Sequence, residues 1–176
     1  MQGGSVDSVG VWIRPATEAD LPAMEWDGAY RHFRRLYQAA FAEAKLGRRM
    51  ILVAEHRGKV VGQIIMQFGS DLTCLQDGPA TGFLYSFRVR PPNRNRGLGT
   101  RLILEAEAHL RRRAYRWAAI AAAKNNPRAR ALYERLGYAV VGEDPGVWSF
   151  VDDRGALQHV TEPADVLEKV LTEDAA

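Results

Sequence analysis

The chain has 176 residues, with 24 Lys and Arg against 21 Asp and Glu, a formal net charge of +3, 47% apolar and 26% charged residues. That length supports one domain with its own core, and the composition excludes a disordered chain, so neither disulfides nor a structural metal is needed. A single cysteine, Cys74, excludes an internal disulfide and fits a reducing, cytoplasmic compartment, and no apolar run approaches the ~20 residues of a membrane span. No charged-then-apolar leader opens the sequence, so no membrane partner is expected. Residues 1–10 are rich in Gly and Ser and read as a flexible N-terminal end, with a single domain expected over 11–176.

The small net charge conceals an asymmetry. Residues 1–83 carry nine basic and nine acidic groups; residues 84–135 carry thirteen and three; residues 136–176 carry two and nine. A block of +10 calls for a polyanionic partner, either a nucleic acid or a phosphorylated cofactor.

Along the chain, Val11 to Arg14 alternates before Pro15 and reads as a short strand. Thr17 and Asp20 stand at N-cap and N3 of a helical stretch that runs, with breaks at Pro22 and Gly28, to about Leu46. Met50–Glu55 and Val60–Phe68 flank a short Gly-containing turn and predict a hairpin. Phe83–Val89 is a further β-rich run, ended by Pro91-Pro92. Leu98, Leu102, Ala106 and Leu110 then recur every fourth residue, the buried stripe of a helix. The alanine-rich run Trp117–Ala123 is ambiguous, because alanine favours helix and is poor in strands. Asn126-Pro127 is an N-cap followed by an N1 proline, opening a helix that Gly137 ends. Tyr138–Val141, Val147–Val151 and Leu157–Val160 read as strands, and Val166–Leu171 as a strand or a helical turn. The whole is one domain of alternating strands and helices.

Two segments carry chemistry. Between a strand and a helix stands Arg94-x-x-Gly97-x-Gly99. Its glycines allow close approach of a ligand to the backbone, the helix start offers unpaired N–H groups and a positive dipole end, and two arginines add charge. Such a loop suits a phosphate or pyrophosphate. It lacks the Gly-Lys-Ser/Thr of a Walker loop, and Leu102 replaces the third glycine of a dinucleotide fingerprint. The second segment, beginning 27 residues after Gly99, is Asn126-x-x-Ala129-x-x-Leu132-Tyr133-x-x-x-Gly137-Tyr138.

These two segments, in this order and spacing, closely resemble the GNAT superfamily of N-acetyltransferases. The Val53-Ala54-Glu55 to Val61-Gly62 hairpin and the opening Ile13-Arg14-Pro15-Ala16-Thr17-x-x-Asp20 resemble it too, so the likeness spans roughly residues 12–142. It implies an α/β (α+β) fold, a central mixed and mostly antiparallel sheet of six to seven strands flanked by helices. It also makes Trp117–Ala123 a strand. The implied cosubstrate is acetyl-CoA, with no metal, and the implied partner is an amine-bearing acceptor, a small molecule or a protein amine.

The resemblance also implies roles. The backbone of Phe87, Arg88 and Val89 corresponds to the strand that pairs with the pantetheine arm. The N–H groups from Arg94 through Asn95, Arg96, Gly97, Leu98 and Gly99 to Thr100 correspond to the pyrophosphate cradle. Asn126 matches a position that contacts the pantetheine amides, and an N-cap role is compatible with that. Arg128 and Arg130 are candidates for the outer phosphate of CoA, while Arg111, Arg112 and Arg113 have no assigned role. Tyr133 matches the general acid that protonates the departing thiolate, although its place on a buried helical stripe is equally that of a core residue.

The implied general base is missing. Relatives place a glutamate in the strand before the loop; here that stretch is Tyr85-Ser86, and Glu25, Asp27, Asp71 and Asp77 are carboxylates in regions that line the acceptor cleft of relatives. Glu55 reads as structural, and Trp26 sits in the region that selects the acceptor. His32, His56, His109 and His159 lack metal-ligand spacing, so no metal site is expected. The acidic C-terminal third suggests a cationic acceptor. Two competing readings are an inactive acyl-CoA-binding protein on the same fold and a nucleic-acid binder. The second lacks any base-reading module, so no nucleic-acid partner is expected. A homodimer is left open, since C-terminal strands often pair subunits in the superfamily.

Overall fold

The structure, a computed structural model, describes residues 10–171, so the flexible end expected over residues 1–10 lies outside the described residues apart from Gly10. Nine strands and three α-helices follow in the order β1 (Val11–Pro15), α1 (Arg34–Lys45), β2 (Arg49–His56), β3 (Lys59–Phe68), β4 (Thr81–Val89), α2 (Leu98–Arg112), β5 (Trp117–Ala123), α3 (Pro127–Arg135), β6 (Ala139–Asp144), β7 (Val147–Val151), β8 (Leu157–Thr161) and β9 (Ala164–Val170). Among the described residues, seven strands form one sheet, ordered β1-β2-β3-β4-β5-β9-β6, and β7 pairs with β8 in a separate two-stranded sheet. Every pair is antiparallel except β4 with β5.

Helices cover both faces of the sheet, which is why its middle strands read as unbroken apolar runs. On one face, Leu52, Ile64, Met66 and Leu84 meet Leu102, Ile103, Ala106 and Leu110 of α2 and Tyr133 of α3. On the other, Ile51, Val53 and Ile65 meet Met24 and the Tyr37 and Ala40 of α1. The contact between α2 and β4 is close: a Cβ on Gly82 would lie 2.2 Å from Leu110 Cδ2. Within the strand Trp117–Ala123, the small side chains of Ala118, Ala119 and Ala122 are buried, so tertiary packing overrides the poor strand propensity of alanine.

The stretch from Thr17 to Leu46 departs from the helix expected there. It forms three 3₁₀ segments, Glu18–Asp20, Pro22–Gly28 and Arg31–Phe33, before the α-helix begins at Arg34. Trp26 and Asp27 sit at φ 48° and 57°, and Gly28 follows at 102°, so the backbone turns left-handed where a helix would continue. Met24, Glu25 and Trp26 are thereby turned inward together. The capping pair does form: Asp20 Oδ2 accepts from the backbone N–H of Thr17 at 2.7 Å. On α3, Tyr133 is buried, while Ala129, Leu132 and Leu136 are half-buried against the core rather than fully enclosed. Val166 to Val170 belongs to a strand, resolving the alternative of a helical turn.

Candidate active site

The single parallel pair is also where the sheet opens. β4 and β5 stay in register only from Thr81↔Trp117 to Leu84↔Ile120. Beyond that point Tyr85–Val89 and Ala121–Ala123 no longer pair with each other, leaving an unpaired edge inside the sheet. The backbone N–H of Arg90 donates to Val61 O of β3, so strand alternation turns the N–H groups of Val89 and Phe87 into the opening. Buried peptide groups need partners, and this opening offers a row of them to an extended amide-bearing ligand. The side chains of Arg88 and its neighbours alternate accordingly: Phe87 and Val89 face α2, and Arg88 faces α1.

A bulge shapes the same place. The β3–β4 register slips between Gln63↔Arg88 and Ile65↔Tyr85, and Ser86 takes φ 51°. A serine in this region carries strain of about 1–3 kcal/mol, held here by its surroundings. Ser86 Oγ accepts from Gln63 Nε2 at 3.1 Å and from Arg88 Nη1 at 2.9 Å. Gln63 is completely buried, and its Oε1 has no partner.

Past β4, the chain runs through Pro91–Asn93 into the glycine loop. Asn95 and Gly97 both adopt left-handed φ, 62° and 77°, and Gly97 caps α2. Such alternation points successive N–H groups toward one spot, an anion-binding concavity at a helix start. A Cβ on Gly97 would meet nothing within 4 Å, so the loop is open there, whereas one on Gly99 would lie 3.0 Å from Phe87 Cζ. Arg96 and Thr100 flank this spot; the side chain of Leu98 is buried in the core, so only its backbone can serve a ligand. Arg94 Nε donates to Val89 O at 2.8 Å, tying the loop back to the strand.

Helix α3 supplies the remaining groups. Asn126 Oδ1 accepts from Ala129 N at 3.1 Å, so the residue is an N-cap, and its amide nitrogen has no partner among the described residues. Arg128 donates through Nη2 to Asn95 Oδ1, joining α3 to the glycine loop. Tyr133 is 5% exposed, its ring centroid is 6.3 Å from that of Phe87, and its hydroxyl has no partner among the described residues. Burial pushes its phenol up to about 12.

Several sequence candidates are held elsewhere. Glu25 takes a forked bond from Arg34, with Nη2 at 2.8 Å, and Asp27 pairs with Arg90 at 2.9 Å. Asp77 caps the turn before β4, accepting from Ala80 N, and Asp71 is exposed in the loop after β3. Glu55 binds Arg14, a structural pair as its position suggests. Arg130 does not stay free for a phosphate: it pairs with Glu134 and Asp165. Arg111 and Arg112 pair with Glu107 and Glu105, and Arg113 lies over Phe68 at 5.0 Å. Five of the block's thirteen basic residues thus pair with carboxylates, and Asp27, Glu143 and Asp165 are the partners that come from outside the block.

The α1 side of β4 differs in character from the acidic lining that a cationic acceptor would suit. Facing α1 are Arg88, Tyr85 and Ser86, with Tyr30, Phe33, Tyr37 and Arg49 around them, a basic and aromatic lining. Within the acidic C-terminal third, four carboxylates are engaged in structural contacts instead. Asp165 and Glu143 hold Lys124, Glu168 accepts from Gln76 N, and Asp152 accepts from Arg154 N and Ala156 N at the β7–β8 turn. Motif reading passes over Tyr30, Phe33, Tyr37 and Gln63, because they come from irregular backbone, one helix and the opposite face of a strand, with no local spacing to mark them.

No helix among the described residues is long and apolar enough to cross a membrane, and no cluster of potential metal ligands occurs among them. No curated protein sequence matches the chain. Among solved structures, it is similar to the ribosomal-protein-S18-alanine N-acetyltransferase of Escherichia coli, at 20% identity and TM-score 0.67 over 94% of this chain and 96% of that one. It is similar to an N-acetyltransferase of Staphylococcus aureus Mu50, at 18% identity and TM-score 0.71 over 92% and 99%. A third is the paiA N-acetyltransferase of Thermoplasma acidophilum in complex with coenzyme A, at 14% identity and TM-score 0.64 over 91% and 98%. At these identities the likeness is one of fold. The model of the acetyltransferase (GNAT) family matches residues 13–138, and the chain belongs to that family of acyltransferases.

Proposed function

We propose that the protein, as a single domain over residues 11–176, transfers an acetyl group from acetyl-CoA to an amine by direct attack within a ternary complex. The observation that carries this reading is the unpaired inner edge of β4 beside the hydroxyl of the buried Tyr133, which has no partner among the described residues. The donor fits what is present: N–H groups of Phe87 and Val89 for amides, an open glycine loop for a pyrophosphate, and Arg96 and Arg128 for phosphate charge. One of the solved neighbours is a complex with coenzyme A. Acetyl-CoA supplies an activated acyl carbon, and the chain supplies position and electrostatics.

The Ser86 bulge re-aims the backbone at the point where β4 leaves β5, so its N–H groups can polarise the thioester carbonyl. Tyr133 donates to the sulfur as the C–S bond breaks and charge develops there. A phenol at about 12 stays protonated at any working pH, and a thiolate of ordinary pKa about 8.5 is the weaker base. Tyr133 thus acts first as a hydrogen-bond donor, and the proton released by the attacking nitrogen balances the one the thiolate finally takes up. With Glu25, Asp27 and Asp77 held in other contacts, the amine enters neutral and proximity provides most of the acceleration.

Thiol release from acetyl-CoA across an amine panel tests the reading, with Tyr133→Phe as control. The expected result is amine-dependent thiol release that drops in the variant. The absence of a carboxylate at the β4 opening favours one alternative, a CoA-binding protein without turnover. Calorimetric CoA binding with no thiol release from any amine selects it.

A further inference from the structure

Arg88 is placed unlike the paired arginines around it. Its Nη1 donates to Tyr37 Oη and to Ser86 Oγ, each at 2.9 Å, and both acceptors are neutral hydroxyls. The guanidinium lies 4.1 Å from the ring centroid of Tyr30 and 5.4 Å from that of Phe33. No carboxylate reaches it among the described residues, whereas Arg14, Arg34, Arg90 and Arg130 each have one. Nε and Nη2 carry no partner among the described residues, and neither is sealed away from solvent. The fold therefore fixes one end of the guanidinium and leaves the Nε–Nη2 edge open, the edge whose two parallel N–H groups fork a carboxylate.

The location gives that edge a purpose. Arg88 follows the Ser86 bulge by two residues and projects from β4 on the face opposite Phe87, whose ring approaches Tyr133. A molecule reaching the opened strand from the α1 side meets Arg88 beside the reacting groups. Around it the wall is aromatic. Tyr30 and Phe33 stack with an 11° interplanar angle, and Phe33 continues to Trp148 at 6.3 Å and Phe150 at 5.1 Å on the β7–β8 hairpin. A half-buried cation without a counter-ion, in an aromatic enclosure, is set up for an anion on an apolar body.

We propose that Arg88 binds the carboxylate of the acceptor, and that the acceptor is a small amino carboxylate with an apolar or aromatic body. This rests on the acetyl-transfer reading for the amine's fate, but the anion site stands on its own geometry. The fork holds the carboxylate, the aromatic wall takes the apolar body, and the amine is left facing the thioester carbon. Nitrogen forms the new bond to that carbon, the C–S bond breaks, and the nitrogen's proton is matched by the one that CoA sulfur acquires.

The test compares apolar and aromatic amino acids with their amides and with the corresponding amines that lack the carboxyl group. Thiol release and calorimetric binding to the CoA-loaded protein are both measured. Hydrogen bonds to a charged group correspond to about 10- to 100-fold in affinity, so acids are expected to exceed amides by that factor in kcat/KM and in binding. Arg88→Gln should bring the acid-to-amide ratio close to one, and Arg88→Lys, which keeps charge but loses the fork, should fall between. Retained CoA affinity and an unchanged melting temperature show that each variant is folded. Turnover with equal preference for acids and amides overturns the inference and leaves acetyl transfer standing. Arg88-dependent binding of acids without any turnover does the reverse. No binding of any amino carboxylate, or a preference that survives Arg88→Gln, overturns it outright.

Discussion

Phe87 and Tyr133 face each other with ring centroids 6.3 Å apart, one from the strand that leaves the sheet pairing and one from the helix beyond it. Phe87 also touches the glycine loop, where a Cβ on Gly99 would meet its Cζ at 3.0 Å. A single ring thus links the three parts of the proposed donor site: strand, loop and helix.

Removing only the Tyr133 hydroxyl keeps the ring that packs there. Tyr133→Phe should lower kcat about 100-fold, within the range for general-acid groups, while leaving the Kd of CoA unchanged. Steady-state thiol release together with CoA calorimetry checks this, and undiminished kcat would remove the acid assignment.

β4 itself holds no carboxylate to remove a proton, so under the proposed mechanism turnover depends on the neutral fraction of the acceptor. The expected kcat/KM rises tenfold per pH unit until the acceptor amine's own pKa and then levels off. Two good acceptors of different amine pKa distinguish the cases. A plateau that moves with the amine fits, and a break at one fixed pH for both would reveal a protein base.

Arg128 joins α3 to Asn95 of the loop and keeps further donors for an anion. Arg128→Ala should weaken CoA about tenfold and leave dephospho-CoA nearly unaffected, as calorimetry with the two ligands would show. Equal weakening of both would make Arg128 a loop support rather than a contact to the outer phosphate.

Glu107 is completely buried and holds Lys169 Nζ at 2.9 Å, Tyr138 Oη at 2.9 Å and Arg111 Nη2 at 3.4 Å. Tyr138 stays protonated because burial, followed by the Glu107 charge, raises its phenol well above the ordinary value. Glu107→Ala strands Lys169 beside the core and should cost about 3–5 kcal/mol in urea unfolding. None of Tyr138, Lys169 and Arg111 is among the groups proposed to hold CoA, so near-normal CoA affinity is expected in whatever fraction remains folded.

Asp20 is the acid-sensitive joint of the N-terminal layer. Its hydrogen bond from Arg14 lowers it from 3.8 to about 2. Because the folded value is depressed, its contribution is full above pH 4 and disappears as pH falls through about 2. That contribution is about 2 kcal/mol. Stability measured by denaturant between pH 5 and pH 2 should fall, and Asp20→Asn should flatten that part of the profile.

The motif segments were legible because their chemistry is local. Gly97, Gly99 and Asn126 follow from backbone conformation and capping within a few residues, and the structure has a left-handed Gly97 capping α2 and Asn126 capping α3. The hairpin of β2 and β3 was equally plain, since turn chemistry and β-rich runs coincide there. The segment from Thr17 to Phe33 was not. Its apolar spacing suits a helix, but left-handed Trp26 and Asp27 serve to bury Met24 against β2 and β3, a tertiary demand that no local signal records.

By itself the sequence determined the order of strands and helices around a glycine-rich loop, and hence the family, because those features depend on residues close together in the chain. Only the tertiary structure decided how the charge is used. It pairs Arg90, Arg130 and Lys124 with carboxylates brought from distant strands and loops, and it draws Asp165 and Glu143 of the acidic C-terminal third into those pairs. It leaves Arg88 alone among hydroxyls and rings, since that environment is assembled from α1, the 3₁₀ turns and a bulged strand. Charge counted along a chain is a sum, whereas recognition depends on which charges remain unpaired after folding.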